Sequence, residues 1–134
     1  VYINDKYSFL ASDKYSPIII DNVDEFENDY YLKKKTIELA EIEFQRKVIN
    51  GLLEKTHLSK NDIDLIISGD LQNQLLASTI SVSNTDISHL GIYSACSTFV
   101  EGIIIASMFL NNEKNNISVF DGLTALWINR SKGL

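Results

Sequence analysis

Residues 99–110 most constrain what this chain can become. Phe99, Val100, Ile103, Ile104, Ile105, Ala106, Met108, Phe109 and Leu110 leave only Glu101, Gly102 and Ser107 to interrupt an apolar helix. A helix that is apolar nearly all round is expected to be covered on most of its sides. At this length, with Glu101 inside it, the run is too short to span a bilayer. It therefore predicts a packed domain with this helix near its centre. It also predicts self-association, because covering such a helix takes apolar surface on more than one side.

The chain around it has the composition of a soluble globular domain. Of its 134 residues, 45% are hydrophobic and 22% charged, enough for a real core in one domain. The formal net charge is −6, and no basic face of the kind that grips nucleic acid is visible, so no nucleic acid partner is expected. Lys33-Lys34-Lys35 reads either as a solvated helix start or as a contact for an anion or membrane surface. The single cysteine, Cys96, excludes an internal disulfide and fits a reducing compartment. The first residues do not show a basic stretch followed by an apolar one, so no signal peptide is expected.

Periodicity supplies the other elements. Val1-Tyr2-Ile3 and Ile18-Ile19-Ile20 are candidate strands in the otherwise illegible first 31 residues. Ile37, Ala40, Phe44, Val48 and Leu52 form one apolar stripe, which predicts a helix over 33–54. Ser59-Lys60-Asn61-Asp62 has the shape of a capped turn. Ile63-Asp64-Leu65-Ile66-Ile67 then reads as a short buried strand ending at Ser68-Gly69-Asp70. A helix is predicted over 73–83 and a strand over 89–94, running straight into Ala95-Cys96-Ser97-Thr98 and the apolar helix. Residues 111–116 read as a loop, and Ile117-Ser118-Val119-Phe120 as another strand. This alternation predicts an α/β fold with a mainly parallel sheet and helices on both faces.

In such sheets ligands gather at the carboxyl ends of the strands. Those ends bring Asp70, Leu71, Gln72, Asn73 and Gln74 toward Ala95-Cys96-Ser97-Thr98. A cysteine at a helix N-terminus faces backbone N–H groups and the positive end of the dipole, a setting for a nucleophile or for holding an anion. The alternative is that Cys96 packs as a small hydrophobe. Asp70 and Asn73 are candidates either to orient a ligand or to cap the following helix. Glu101 is either paired internally, turned to an edge, or a catalytic acid. His57 and His89 do not stand with Cys96 at metal-ligand spacing, so no metal site is expected. No G-x-G-x-x-G or Walker loop is present, which disfavours the corresponding nucleotide-cofactor enzymes, and no cofactor is expected.

At these residues the chain resembles a known family. The run Asn61-Asp62-Ile63-Asp64-Leu65-Ile66-Ile67-Ser68-Gly69-Asp70-Leu71-Gln72-Asn73-Gln74 is similar to the D-D-I-D-x-x-x-x-G-D-L-L-N-Q stretch of the stage V sporulation protein AD family. Ala95-Cys96-Ser97-Thr98 with Glu101 resembles its G-A-C-S-T-x-x-E segment, and Glu38-Leu39-Ala40-Glu41 its W-E-x-A-E. The resemblance covers about residues 26–120 and implies a partial thiolase-like domain, with Cys96 at the position of the thiolase nucleophile. It implies ligand-binding roles for Cys96, Ser97, Asp70 and Asn73. It also implies dipicolinic acid as ligand, with or without calcium, and spore membrane channel proteins as partners. A cytoplasmic or forespore setting at the periphery of the spore inner membrane follows from the same likeness.

The chain departs from that pattern in several places. Ser94 stands where a glycine is usual, and Asn4-Asp5-Lys6-Tyr7-Ser8-Phe9 replaces a small-residue stretch. Residues 121–134 read as a divergent tail, so the chain is expected to be a single incomplete thiolase-like N-terminal domain, a truncated or degenerate copy. Thiolase-type chemistry draws further histidine or cysteine groups from a second half. An acyl-transfer fragment using Cys96 and a fold fragment without activity are the alternatives to dipicolinate binding.

Overall fold

The computed structural model describes residues 1–12, 17–111, 116–120 and 124–129. Of the predicted loop over 111–116, residues 112–115 lie outside them, as do residues 121–123 and 130–134 of the tail, while Asn116 already belongs to a strand. Six strands form one sheet: β1 (Tyr2–Ala11), β2 (Glu25–Glu27), β3 (Leu65–Ser68), β4 (Ser88–Gly91), β5 (Asn116–Phe120) and β6 (Thr124–Asn129). Their spatial order is β2-β1-β6-β5-β3-β4. The β1–β2, β3–β4 and β3–β5 pairs are parallel, while β6 is antiparallel to both β1 and β5. Five strands therefore run one way and β6 alone runs back between them, as the α/β expectation of a mainly parallel sheet requires.

Side chains alternate across the sheet with the period of two that the pleat imposes. Ile66, Phe120 and Ala125 face a core shared with α2 (Ile37–Thr56) and α3 (Leu76–Val82). Ile67, Ile117, Val119, Leu126 and Ile128 face the opposite core beneath α4 (Thr98–Leu110). Each such branched aliphatic, buried on both flanks, contributes roughly 1.5–3 kcal/mol relative to exposure. The stretch read as a divergent tail thus supplies a central strand: β6 pairs along most of β1 and β5.

Four readings of the sequence change. Ile18-Ile19-Ile20, a candidate strand, lies in a single helical turn, α1 (Pro17–Ile20). The long helix begins at Ile37 rather than residue 33, because Thr36 Oγ1 accepts the Leu39 N–H at 3.3 Å and caps it there. Leu32 and Lys33 just before it have φ of 50° and 59°, which no helix tolerates. The helix predicted over 73–83 is instead a 3-10 turn (Asn73–Leu75) and the short α3, separated by left-handed Gln74 and Leu75. Finally, α4 is not enclosed. It buries Thr98, Gly102, Ala106 and Leu110 against the sheet, while Val100, Ile104 and Met108 remain 58%, 56% and 71% exposed. One sheet covers one face of a helix; the close approach is made at Gly102, where a Cβ would lie 2.6 Å from Val119 Cγ1.

The capped turn is as expected: Asp62 accepts from the N–H and hydroxyl of Ser59 at 2.7 Å each. At its other end α2 closes with the Leu58 N–H on the Leu53 carbonyl and His57 left-handed, a Schellman arrangement. Among the described residues no helix is long and apolar enough to cross a membrane.

Candidate functional site

β1 and β3 end at the same edge of the sheet, and a cleft of about 660 Å³ opens there. β1 contributes Leu10 and Ala11; the segment after β3 contributes Gly69, Asp70, Leu71 and Gln72. The start of α2 supplies Ile37, Glu41 and Phe44, Tyr30 closes one side, and Ala95, Cys96, Thr98 and Phe99 come from the entry to α4. This is the position at which open α/β sheets hold ligands.

The segment that delivers Cys96 is shaped by strain and by hydrogen bonds. Ile92 N–H donates to the Ser68 carbonyl at 2.9 Å, extending the β3–β4 pairing by one step. The chain then turns through Ala95 at φ 48°, left-handed for a residue with a Cβ, into a 3-10 turn (Ala95–Ser97). The Thr98 hydroxyl accepts from the Ser94 N–H at 3.1 Å and donates to the Ala95 carbonyl at 2.9 Å, locking the turn. Gly69 sits against this segment: a Cβ there would lie 2.1 Å from the Ile92 carbonyl oxygen and 2.6 Å from Thr98 Cγ2. Only glycine lets β3's end approach the Cys96 turn this closely. Cys96 itself is exposed, so the reading in which it packs as a buried hydrophobe is replaced by one in which its thiol is accessible at the cleft.

Asp70 is 7% exposed and is held by donors rather than by a cation. Its carboxylate accepts from the Gln72 N–H, the Ser78 N–H and the Ser78 hydroxyl at 2.7, 2.7 and 2.5 Å. No side chain caps α3 at Leu75, so Asp70 reaches in from β3 and satisfies one of that helix's orphan N–H groups. The polar chain continues inward. The Ser81 hydroxyl donates to Gln45 Oε1 at 2.9 Å, and Gln45 Nε2 donates to Glu41 Oε1 at 3.2 Å. Gln45 is fully buried on α2, so this pair of bonds ties the α2 wall of the cleft to α3, which Asp70 in turn anchors to β3.

Of the four predicted site residues, the fold brings Cys96 and Asp70 to one cleft, while Ser97 and Asn73 are not among its lining residues. The Ser97 hydroxyl bonds the Ser94 carbonyl at 2.7 Å instead, and Asn73 is exposed in the 3-10 turn. Glu101 lies in the first turn of α4 with Oε2 buried and unpartnered. His57 caps α2, and His89 Nε2 lies 2.9 Å from Ser68 Oγ; burial holds the His89 pKa below its usual value. Neither histidine lines the cleft. The cleft residues that the sequence left unmarked are Leu10, Ala11 and Tyr30, from the stretch without clear periodicity. Phe44 and Phe99 looked like core positions, and Glu41 was signalled only by the E-x-A-E motif. Among the described residues no three His, Cys, Asp or Glu side chains are grouped to hold a metal ion.

A mixed sheet of this order, helices on both faces and a cysteine turn entering α4 define a thiolase-like fold. Solved structures share it. A 3-oxoacyl-[acyl-carrier-protein] synthase III from Aquifex aeolicus VF5 superposes with a TM-score of 0.56 and 21% identity, over 75% of this chain and 40% of that one. The priming beta-ketosynthase of the R1128 polyketide pathway gives 0.50 and 17%, over 73% of this chain and 36% of its own. Within that class, the family model for stage V sporulation protein AD matches residues 3–122, and the chain belongs to that family of sporulation proteins. The Stage V sporulation protein AD of Bacillus subtilis (strain 168) is 32% identical over 84 residues, which is 63% of this chain and a quarter (25%) of that relative's length.

Proposed function

We propose that the chain serves sporulation as a small-molecule binding module, with a planar aromatic ligand of the dipicolinate kind occupying the cleft beside Cys96. The observation that supports this is the lining. Tyr30, Phe44 and Phe99 present aromatic surface at the carboxyl edge of the sheet, and Asp70, Gln72 and Thr98 stand beside them. A mainly apolar cleft of this volume with a few convergent polar groups is the ordinary form of a small-ligand site. Partner proteins at the spore membrane are part of the same reading, and the exposed α4 stripe is surface on which such a partner or a second copy would pack.

Two measurements together test the cleft. Dipicolinate, with and without calcium, is expected to raise the melting temperature, since ligand bound only to the native state stabilises it by mass action. It is also expected to slow alkylation of Cys96 by a thiol reagent, because the thiol lines the occupied space. A folded sample whose melting and Cys96 reactivity are both unmoved by ligand would end this reading.

One observation favours a second reading: Cys96 stands exposed at the entry to α4 in a fold shared with ketosynthases. In that reading a thioester acyl group moves to Cys96 Sγ and the donor leaves as its free thiol. A mass increase of one acyl group with acyl-CoA donors, lost in Cys96→Ser, is the required result; no adduct would dismiss it.

A further inference from the structure

The cleft at the carboxyl edge of the sheet holds a carboxamide that the fold itself does not use. Gln72 lines the cleft, and its Oε1 is shut off from solvent with no hydrogen-bond partner. A buried acceptor in that state costs the ligand-free chain its desolvation without return.

The backbone at this residue is tied down on both sides. The Gln72 N–H donates to Asp70 Oδ1 at 2.7 Å, and the Gln72 carbonyl accepts from the Leu75 N–H at 3.2 Å. Gln72 also stands at the N-cap position of the 3-10 turn Asn73–Leu75, where a polar side chain often bonds a backbone N–H, yet its side chain makes no such bond. The main chain thus holds Gln72 at the cleft while the terminal torsion of its side chain stays soft. Turning the carboxamide outward breaks no bond and relieves the sealed acceptor.

The rest of the lining shows what that carboxamide would do. A ligand of the dipicolinate kind brings acceptors: two carboxylates and a ring nitrogen. None of the described lining residues is lysine, arginine or histidine. Asp70 accepts three hydrogen bonds and carboxylates do not donate, while Thr98 already gives its hydroxyl proton to the Ala95 carbonyl. The side-chain donors that remain among the described lining residues are the half-exposed Tyr30 hydroxyl, the weakly donating Cys96 thiol and the two N–H groups of Gln72.

We infer that Gln72 is the residue that orients the ligand in the cleft, its Nε2 donating to a ligand carboxylate or ring nitrogen while its Oε1 regains water. This rests on the cleft-binding reading above and deepens it. A hydrogen bond to a charged acceptor is among the stronger ones, and here no existing bond has to be given up to make it.

The test is calorimetry with dipicolinate on the wild-type chain, Gln72→Leu and Gln72→Glu. Leucine is the residue at this place in the G-D-L-L-N-Q pattern that the segment resembles, so the first variant suits the fold. Gln72→Leu is expected to bind dipicolinate about tenfold more weakly. Its ligand-free melting temperature is expected to be no lower than that of the wild type, because the sealed acceptor is gone. Gln72→Glu keeps the shape and the acceptor but loses the donor, and is expected to weaken binding at least as much. Equal affinity in Gln72→Leu, undiminished binding by Gln72→Glu, or a clearly lower ligand-free melting temperature in Gln72→Leu overturns the role of Gln72 and leaves the cleft standing. No binding heat with the wild type, together with Cys96 alkylation unaffected by dipicolinate, overturns the cleft reading and this role with it.

Discussion

Truncating Asp70 to alanine removes one acceptor group from three donors at once. The Ser78 N–H is an orphan of the first turn of α3, the Ser78 hydroxyl is buried, and the Gln72 N–H belongs to the segment that lines the cleft. Hydrogen bonds to a charged acceptor contribute about 1.5–3 kcal/mol each, and a buried donor left without a partner costs its desolvation. Water entering the vacated space and rotation of the Ser78 hydroxyl recover part of the sum. The net loss expected is about 3–4 kcal/mol, a large fraction of the roughly 5–15 kcal/mol that stabilises an ordinary domain. Asp70→Asn keeps one acceptor but turns an amide N–H toward a donor, and about half that loss is expected. Urea unfolding at neutral pH reads both. With a slope of about 2 kcal/mol/M, Asp70→Ala lowers the midpoint by about 1.5–2 M at unchanged slope. Ser78→Ala in a double-mutant cycle is expected to show a coupling of about 1–2 kcal/mol. A loss below about 1 kcal/mol for Asp70→Ala, or strict additivity with Ser78→Ala, would refute the cap and its place in the site.

Two further outcomes follow from the same geometry. Gly69→Ala sets a methyl against the Ile92 carbonyl, a backbone atom that cannot turn aside, and is expected to cost about 3 kcal/mol. It is also expected to change the rate of Cys96 alkylation, since the Cys96 turn must move; an unchanged rate with unchanged stability would show that the close approach is not needed. His89 is held in its neutral form by burial, its folded pKa lying below the usual 6.5. Its contribution to stability is therefore present above pH 6.5 and lost as pH falls through the lower folded value. Thermal melts between neutral pH and about pH 5 should show this loss in the wild type and a flatter profile in His89→Gln. Parallel profiles would place the acid sensitivity elsewhere.

Much of this architecture is written in local pattern. The stripe Ile37, Ala40, Phe44, Val48 and Leu52 was legible as one face of a helix, and all of it is buried except Ile37 at the helix start, which is 48% exposed. The run around Ile66 and Ile67 could only be a strand covered on both sides, and it is. The place of Cys96 at the cleft was legible because a strand followed closely by an apolar helix puts the joining turn at the sheet's edge. The capped turn at Ser59 was legible for the same reason: its bonds close within four residues.

What tertiary structure decided are the features whose partners are far apart in the chain. Whether Asp70 faces a ligand or caps a helix depended on Ser78, which only the left-handed break at Gln74 and Leu75 brings around. Tyr30 and Leu10 became cleft residues because β1 and β3, separated in the sheet by β6 and β5, end at the same sheet edge, a juxtaposition without local signature. The exposed stripe of α4 shows the limit most clearly. Its composition determined that it would prefer to be covered all round, but one sheet presents one surface, and only the fold shows that Gly102 and Ala106 are the side that meets it. Likewise β6 has no helix-period or motif to announce it; its place in the sheet is set by backbone bonds to β1 and β5, which residue pattern does not encode.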